Sequence, residues 1–259
     1  MLLQGLAMTD CKAIVNKIET FGLVDGPGVR VVIFLQGCNM RCKYCHNPET
    51  WALKSKDCKE YTPQELVDFC YRYHTYWGKN MSNGGVTFSG GEPLLQLDFL
   101  IEFAKLAKQK NINIAIDTCG QPFTNEKEYL EKFDILASLV DLFIVDIKCF
   151  DNNLHKEITG HTNSNIFDML KHLDLLKKDV WIRHVLVPNL TGSKEDLLNI
   201  KQFLNTLNNV RKVEVLPYHD FAIFKYKNLG IKYPLEGYRV PTAEEVKTAE
   251  NILEVEKYK

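Results

Sequence analysis

Leu142-Phe143-Ile144-Val145-Asp146-Ile147-Lys148 is a run in which polar side chains enter only at the end. A strand this apolar is covered on both faces, and helices are what usually cover both faces of a parallel sheet. The neighbouring sequence repeats the theme. Val29–Leu35 is apolar and β-branched, Gly85–Phe88 and Ile112–Asp117 are short strands, and Val180–Val187 and Val213–Leu216 complete a set of six. Helical periodicity fills the intervals: Thr62 to about Trp77, Leu94–Lys110, Glu126–Ser138, Ile166–Lys178 and Lys194–Asn208, with a terminal helix from Thr242 to about Glu256. Thr62-Pro63-Gln64-Glu65 and Thr242-Ala243-Glu244-Glu245 have the form of capping boxes, the first with Pro at the opening helical position.

Six strands interleaved with helices predict an α/β fold, either an open doubly wound sheet or an incomplete barrel. Both place chemistry at the carboxyl ends of the strands. The polar residues that interrupt apolar strands fall there: the cysteines after Leu35, Ser89–Glu92, Asp117-Thr118, Asp146 and Lys148, Arg183, and Tyr218-His219. One site drawn from all six strand ends accounts for them.

At 259 residues the chain is long enough to bury a core without disulfides, and it reads as a single domain over 1–259 with a flexible lead of about twelve residues. With 32 Lys and Arg against 33 Asp and Glu, it lacks the bulk positive charge of a nucleic-acid binder. The N-terminal residues lack the basic and apolar regions of a signal peptide, and no apolar stretch approaches the roughly 18 to 20 residues of a membrane span. A cytoplasmic protein is expected.

Three of the eight cysteines lie within Cys38-Asn39-Met40-Arg41-Cys42-Lys43-Tyr44-Cys45. Cys11, Cys58, Cys70, Cys119 and Cys149 are scattered and read as small buried hydrophobes or idle thiols. The C-x3-C-x2-C spacing suits an iron–sulfur cubane, with each thiolate on its own iron and one iron left open. Zinc wants four ligands, and His46 is too close to Cys45 to turn onto the same ion, so zinc would need a ligand from elsewhere. Asp146 and Lys148 share a face of their strand, as a surface ion pair or as part of the site. Arg183 sits where an unpaired charge is costly, so it pairs with a carboxylate or serves a ligand.

The cysteine loop resembles the signature of the radical S-adenosylmethionine (SAM) superfamily. Asp25-Gly26-Pro27-Gly28-Val29-Arg30, Tyr44-Cys45-His46-Asn47, Gly84–Pro93, Asp117-Thr118, Asp146-Ile147-Lys148, Trp181-Ile182-Arg183 and Leu216–His219 narrow the resemblance to the glycyl-radical enzyme activases. It implies a partial (β/α)6 TIM-like barrel, one [4Fe–4S] cluster on Cys38, Cys42 and Cys45, and SAM as co-substrate. The SAM contacts it implies are Tyr44, His46, Asn47, Gly90, Gly91, Glu92, Thr118, Asp146, Ile147, Lys148, Arg183 and His219, with His46 and His184 as neighbours rather than reactants. It further implies a monovalent cation on Asp117, Thr118, Ile144 and Asp146, and contact of Asp25 with the partner's glycine loop, although the Asp25 segment also reads as a plain turn. The cluster-rich insert of many activases is absent, which favours pyruvate formate-lyase as the partner. A reduced flavodoxin or ferredoxin would supply the electron, and the family implies a monomer. Another glycyl-radical enzyme as partner, or an iron–sulfur or zinc sensor without turnover, are the competing readings.

Overall fold

The computed structural model describes residues 11–81 and 83–258. The lead of about twelve residues therefore lies mostly outside the described residues, while Cys11 packs against the main core.

All six expected strands are present: β2 (Val29–Leu35), β4 (Gly84–Gly90), β5 (Ile114–Thr118), β6 (Leu142–Asp146), β7 (Val180–Leu186) and β8 (Val210–Pro217). They run parallel, in chain order, in one eight-stranded sheet. The two remaining strands, β1 (Ala13–Gly22) and β3 (Lys59–Tyr61), extend its edge in antiparallel pairing, in the order β3-β1-β2. The helix–strand alternation passes over both. β1 carries polar residues such as Lys17 and Glu19 on its exposed side, and β3 is three residues long.

The helices are α1 (Pro63–Tyr71), α2 (Leu97–Gln109), α3 (Lys127–Leu139), α4 (Asn152–Thr159), α5 (Ser164–Leu175), α6 (Lys194–Leu204), α7 (Ile223–Asn228) and α8 (Ala243–Leu253). Both capping boxes form, at Thr62 with Glu65 and at Thr242 with Glu245. α1 stops earlier than expected, and a 3₁₀ turn at His74–Trp77 follows. Aromatic and β-branched residues in this stretch lose rotamer freedom in a helix, and the tighter turn buries Trp77 completely. α4 and α7 were not expected; both are short, and α4 owes its ends to Asp151 as N-cap and to Gly160 in the left-handed region.

The two faces of the sheet differ. Val31, Ile33, Val86, Phe88, Ile116, Phe143, Val145 and Ile182 belong to the main core with the helices. On the opposite face Ala115, Leu142 and Ile144, with Trp181, form a small apolar floor. The residues that alternate with the core toward the strand ends are polar: Ser89, Asp117, Asp146, Arg183 and Glu214. Strand register brings them level, with Asp117 opposite Ile144, Asp146 opposite Arg183, and Arg183 opposite Glu214.

Candidate active site at the strand ends

The cysteine loop leaves β2 through Gly37, whose φ of 101° suits glycine. Its ends are tied together by Gly37 N–H donating to Thr50 O (2.8 Å) and by the Gln36 amide donating to Glu49 O (3.1 Å) and Ala52 O (2.7 Å). Its middle hangs on the end of α4, where Arg41 N–H donates to Thr159 O (2.8 Å) and Lys43 N–H to Ile158 O (2.9 Å). α7 holds the far side: Tyr226 hydroxyl donates to Cys45 O (3.1 Å), and Lys225 Nζ donates to His46 O (2.8 Å), Asn47 Oδ1 (3.1 Å) and Glu49 Oε1 (2.5 Å). The sequence reading did not single out Lys225 or Tyr226, because no local period links a short downstream helix to this loop.

All three loop cysteines are free thiols, half-buried. Burial pushes Cys38 up to about 12, and nearby Glu92 adds to the effect. Burial likewise lifts Cys42 to about 12 against the pull of Lys148, and it lifts Cys45 against the hydrogen bond from Asn47 N–H at 3.4 Å. Thiolates here need a cation to stay ionised. Among the described residues no three His, Cys, Asp or Glu side chains gather into a site for one metal ion. A cubane takes each thiolate on a different iron, so it suits three separated sulfurs better than zinc does. Buried polar atoms without partners ring the loop: Tyr44 Oη, Asn39 Oδ1 and His219 Nδ1. Such atoms are costly unless a ligand or water meets them, so the residues present fit a cluster with a polar co-substrate.

Glu92 is turned away from solvent. It is fully buried, and its carboxylate accepts from Leu94 N–H (2.9 Å), Cys119 N–H (2.8 Å) and the Thr118 hydroxyl. Burial raises its pKa against these donors. A Cβ at Gly91 would lie 2.1 Å from Gly37 O, so this glycine allows one backbone to pack on another; Glu92 N–H donates to Gly37 O at 2.8 Å. Gly90, at φ 111°, ends β4 beside it.

Across the polar face, Ser89 Oγ donates to Asp117 Oδ2 (2.8 Å), and Lys148 Nζ pairs with Asp146 Oδ2 (2.7 Å). Burial raises Asp117 to about 6, even with the Arg183 guanidinium opposing it. Burial alone would lower Lys148, yet Asp146 and Cys42 hold its pKa well above the usual lysine range. Its ammonium lies 5.8 Å from the Tyr44 ring centroid. Arg183 meets Glu214 (3.1 Å), Asp117 (3.5 Å) and Asp25 (3.6 Å), and donates to Val24 O. Ile147 is buried in the main core, between the two residues it separates, and Ile144 lies in the floor of the polar face.

His46 and His219 stack with centroids 4.0 Å apart, and His46 Nε2 is 3.2 Å from His219 O. Burial, then His219, lowers the His46 pKa. His184 lies beneath the rim, its ring nitrogens 2.9 Å from Ile147 O and 3.0 Å from Thr191 O. Cys70 and Cys119 are buried in the main core and Cys149 in a second cluster with Tyr44 and Tyr226, while Cys58 donates to Gln36 Oε1 at 3.2 Å.

Residues 32–204 match the family model of the radical SAM superfamily. The chain belongs to that superfamily. It is 46% identical over 245 residues to the pyruvate formate-lyase-activating enzyme of Streptococcus mutans, covering 95% of this chain and 92% of that one. The enzyme of the same name from Listeria monocytogenes is 44% identical over 252 residues, covering 97% of this chain and all of that one. A solved domain of pyruvate-formate lyase-activating enzyme from Bacteroides vulgatus superposes with a TM-score of 0.55 at 25% identity, over 68% of this chain and 97% of that one. QueE from Escherichia coli shares the fold alone, with a TM-score of 0.51 at 17% identity, over 87% of this chain and 94% of that one. Within the superfamily, the chain belongs to the pyruvate formate-lyase-activating enzymes.

Proposed function

We propose that this chain activates pyruvate formate-lyase by abstracting a Cα hydrogen from one glycine of that partner. A [4Fe–4S] cluster held by Cys38, Cys42 and Cys45 would supply the single electron for reductive cleavage of SAM, whose products would be methionine and, once the glycine hydrogen is taken up, 5′-deoxyadenosine. The observation that carries the reading is the meeting of a three-thiol loop, which follows β2, with one polar face built from the ends of the next five parallel strands.

In this reading Cys38, Cys42 and Cys45 hold the cluster, and the clamps from α4 and α7 keep the loop in place. Lys148 meets the SAM carboxylate, balanced by Asp146, while Gly90, Gly91 and Thr118 offer backbone polar groups to the methionine end. Glu92 acts there by holding the loops around it, because its own oxygens are engaged. Arg183, Tyr44, His46, Asn47 and His219 line the remaining SAM surface, with the unpartnered Tyr44 and His219 atoms free to meet it, while Ile147, its side chain in the core, would meet SAM through its backbone. A monovalent cation on Asp117, Thr118, Ile144 and Asp146 would relieve the crowding of the two carboxylates. Asp25 receives the glycine loop.

The whole chain acts as one catalytic domain, a monomer in the cytoplasm, reduced by a flavodoxin or ferredoxin. Among the described residues no helix is long and apolar enough to cross a membrane. The test is anaerobic reconstitution with iron and sulfide, reduction with SAM, and assay of 5′-deoxyadenosine and of a glycyl EPR doublet on pyruvate formate-lyase. Both products support the reading in full. Nucleoside without the doublet redirects the search to another glycyl-radical enzyme, and neither product overturns it.

A further inference from the structure

The turn that carries Asp25 rests on a buried guanidinium whose hydrogen-bond acceptors are all neutral. Arg30 is wholly inaccessible to solvent. Its Nε donates to Thr87 Oγ1 (2.6 Å), Nη1 to Pro27 O (3.2 Å), and Nη2 to Val86 O (2.6 Å) and Asn113 O (3.3 Å). Thr87, also wholly buried, passes the contact on, since its hydroxyl donates to Asp25 O at 2.6 Å. The turn is shaped around this group. A Cβ at Gly26, where φ is 120°, would lie 2.9 Å from Arg30 Cδ, and one at Gly28 would lie 2.3 Å from the Asn83 backbone.

A charge buried among neutral acceptors is costly to desolvate, so a role in stability alone is a poor explanation for it. What the arrangement does achieve is geometric. Two main-chain carbonyls of the turn, those of Asp25 and Pro27, are fixed to β2 and β4. Among the described residues, the Asp25 side chain is left to one ion pair, with Arg183 at 3.6 Å.

We propose that Arg30 and Thr87 are positioning residues for the protein substrate, holding the Asp25 turn so that its carboxylate faces the incoming glycine loop. The proposal rests on the reading of Asp25 as a substrate contact. Thr87 is the sharper handle, because valine fills its volume but can neither accept from Arg30 nor donate to Asp25 O.

Reconstituted Thr87→Val, Thr87→Ser and Asp25→Ala enzymes are compared for the KM of pyruvate formate-lyase, read by the glycyl doublet, and for partner-free 5′-deoxyadenosine formation. Thr87→Val should raise the partner KM roughly five- to tenfold, the ratio one ordinary hydrogen bond sets. Its partner-free SAM cleavage should stay within about twofold of wild type, and Thr87→Ser should restore the KM. If Asp25→Ala leaves the partner KM unchanged, the reading of Asp25 fails. If Asp25→Ala raises it while Thr87→Val does not, the positioning proposal is overturned. Equal loss of both activities in Thr87→Val also overturns it, since that marks a structural role. Should Thr87→Val not fold, Arg30→Lys, which keeps the charge but not the fork, is read by the same criteria.

Discussion

Arg183 Nη1 stands 3.6 Å from Asp25 Oδ1, joining the seventh strand to the turn before the second. The same guanidinium meets Asp117 and Glu214, so one cation serves three carboxylates at the rim. The turn read as the partner's entry and the face read as the SAM site are thereby in direct contact before either ligand arrives.

Replacing Arg183 with Met takes the cation from Asp25 and Asp117, leaving Asp117 the Ser89 hydroxyl, while Glu214 keeps its pair with Lys212 at 2.6 Å. Removing one member of a buried charge network costs on the order of 3–5 kcal/mol. Denaturant unfolding of the cluster-free protein should show a loss of that order, with Arg183→Lys recovering part of it. An Arg183→Met variant as stable as wild type would show that water already compensates these carboxylates.

Glu92→Gln keeps size and shape but replaces one carboxylate oxygen with an NH2 group. That group must face either Cys119 N–H or Leu94 N–H with the Thr118 hydroxyl, leaving a donor opposite a donor. The expected cost is roughly 1–3 kcal/mol of folding stability, measurable by the same unfolding experiment.

Tyr226→Phe removes only the hydroxyl that reaches Cys45 O, leaving the ring against Trp51 at 5.7 Å. Stability of the cluster-free protein should fall by about 1 kcal/mol. The reconstituted variant should lose its visible iron–sulfur absorbance to a chelator faster than wild type. Equal rates of loss would show that Cys45 needs no anchor from α7.

Asp117 sets a pH dependence of known sign. Its pKa rises from an ordinary carboxylate value to about 6 on folding, chiefly through burial. The folded protein then binds the proton more tightly than the unfolded chain, so this group's contribution to stability falls as pH rises from about 4 to about 6, and does not return above that. Asp117→Asn removes the dependence. Relative to wild type, the variant should gain on the order of 1–3 kcal/mol between pH 5 and pH 7. Unfolding midpoints of both proteins across that range, with SAM absent, provide the check.

Much of this protein is written locally. The apolar run at Leu142–Val145 requires cover on both faces, the capping boxes at Thr62 and Thr242 start helices where they stand, and three cysteines in eight residues reach one small region whatever surrounds them. Alternation along each strand also sends Asp117, Asp146 and Arg183 to one face without knowledge of the neighbours. Arg30 gave the same signal as Arg183, a charge inside an apolar strand, and could have been found that way. What remained hidden depends on segments distant in the chain. The antiparallel pairing of β1 with β2 and β3, the turning of Glu92 into the protein, the Thr87 hydrogen bond to the Asp25 turn and the grip of Lys225 and Tyr226 on the cysteine loop all join residues that no spacing relates. Sequence period determines which face a side chain occupies; only packing decides which partner from elsewhere satisfies a buried donor or charge, because that cost is settled by whatever the fold brings within hydrogen-bond distance.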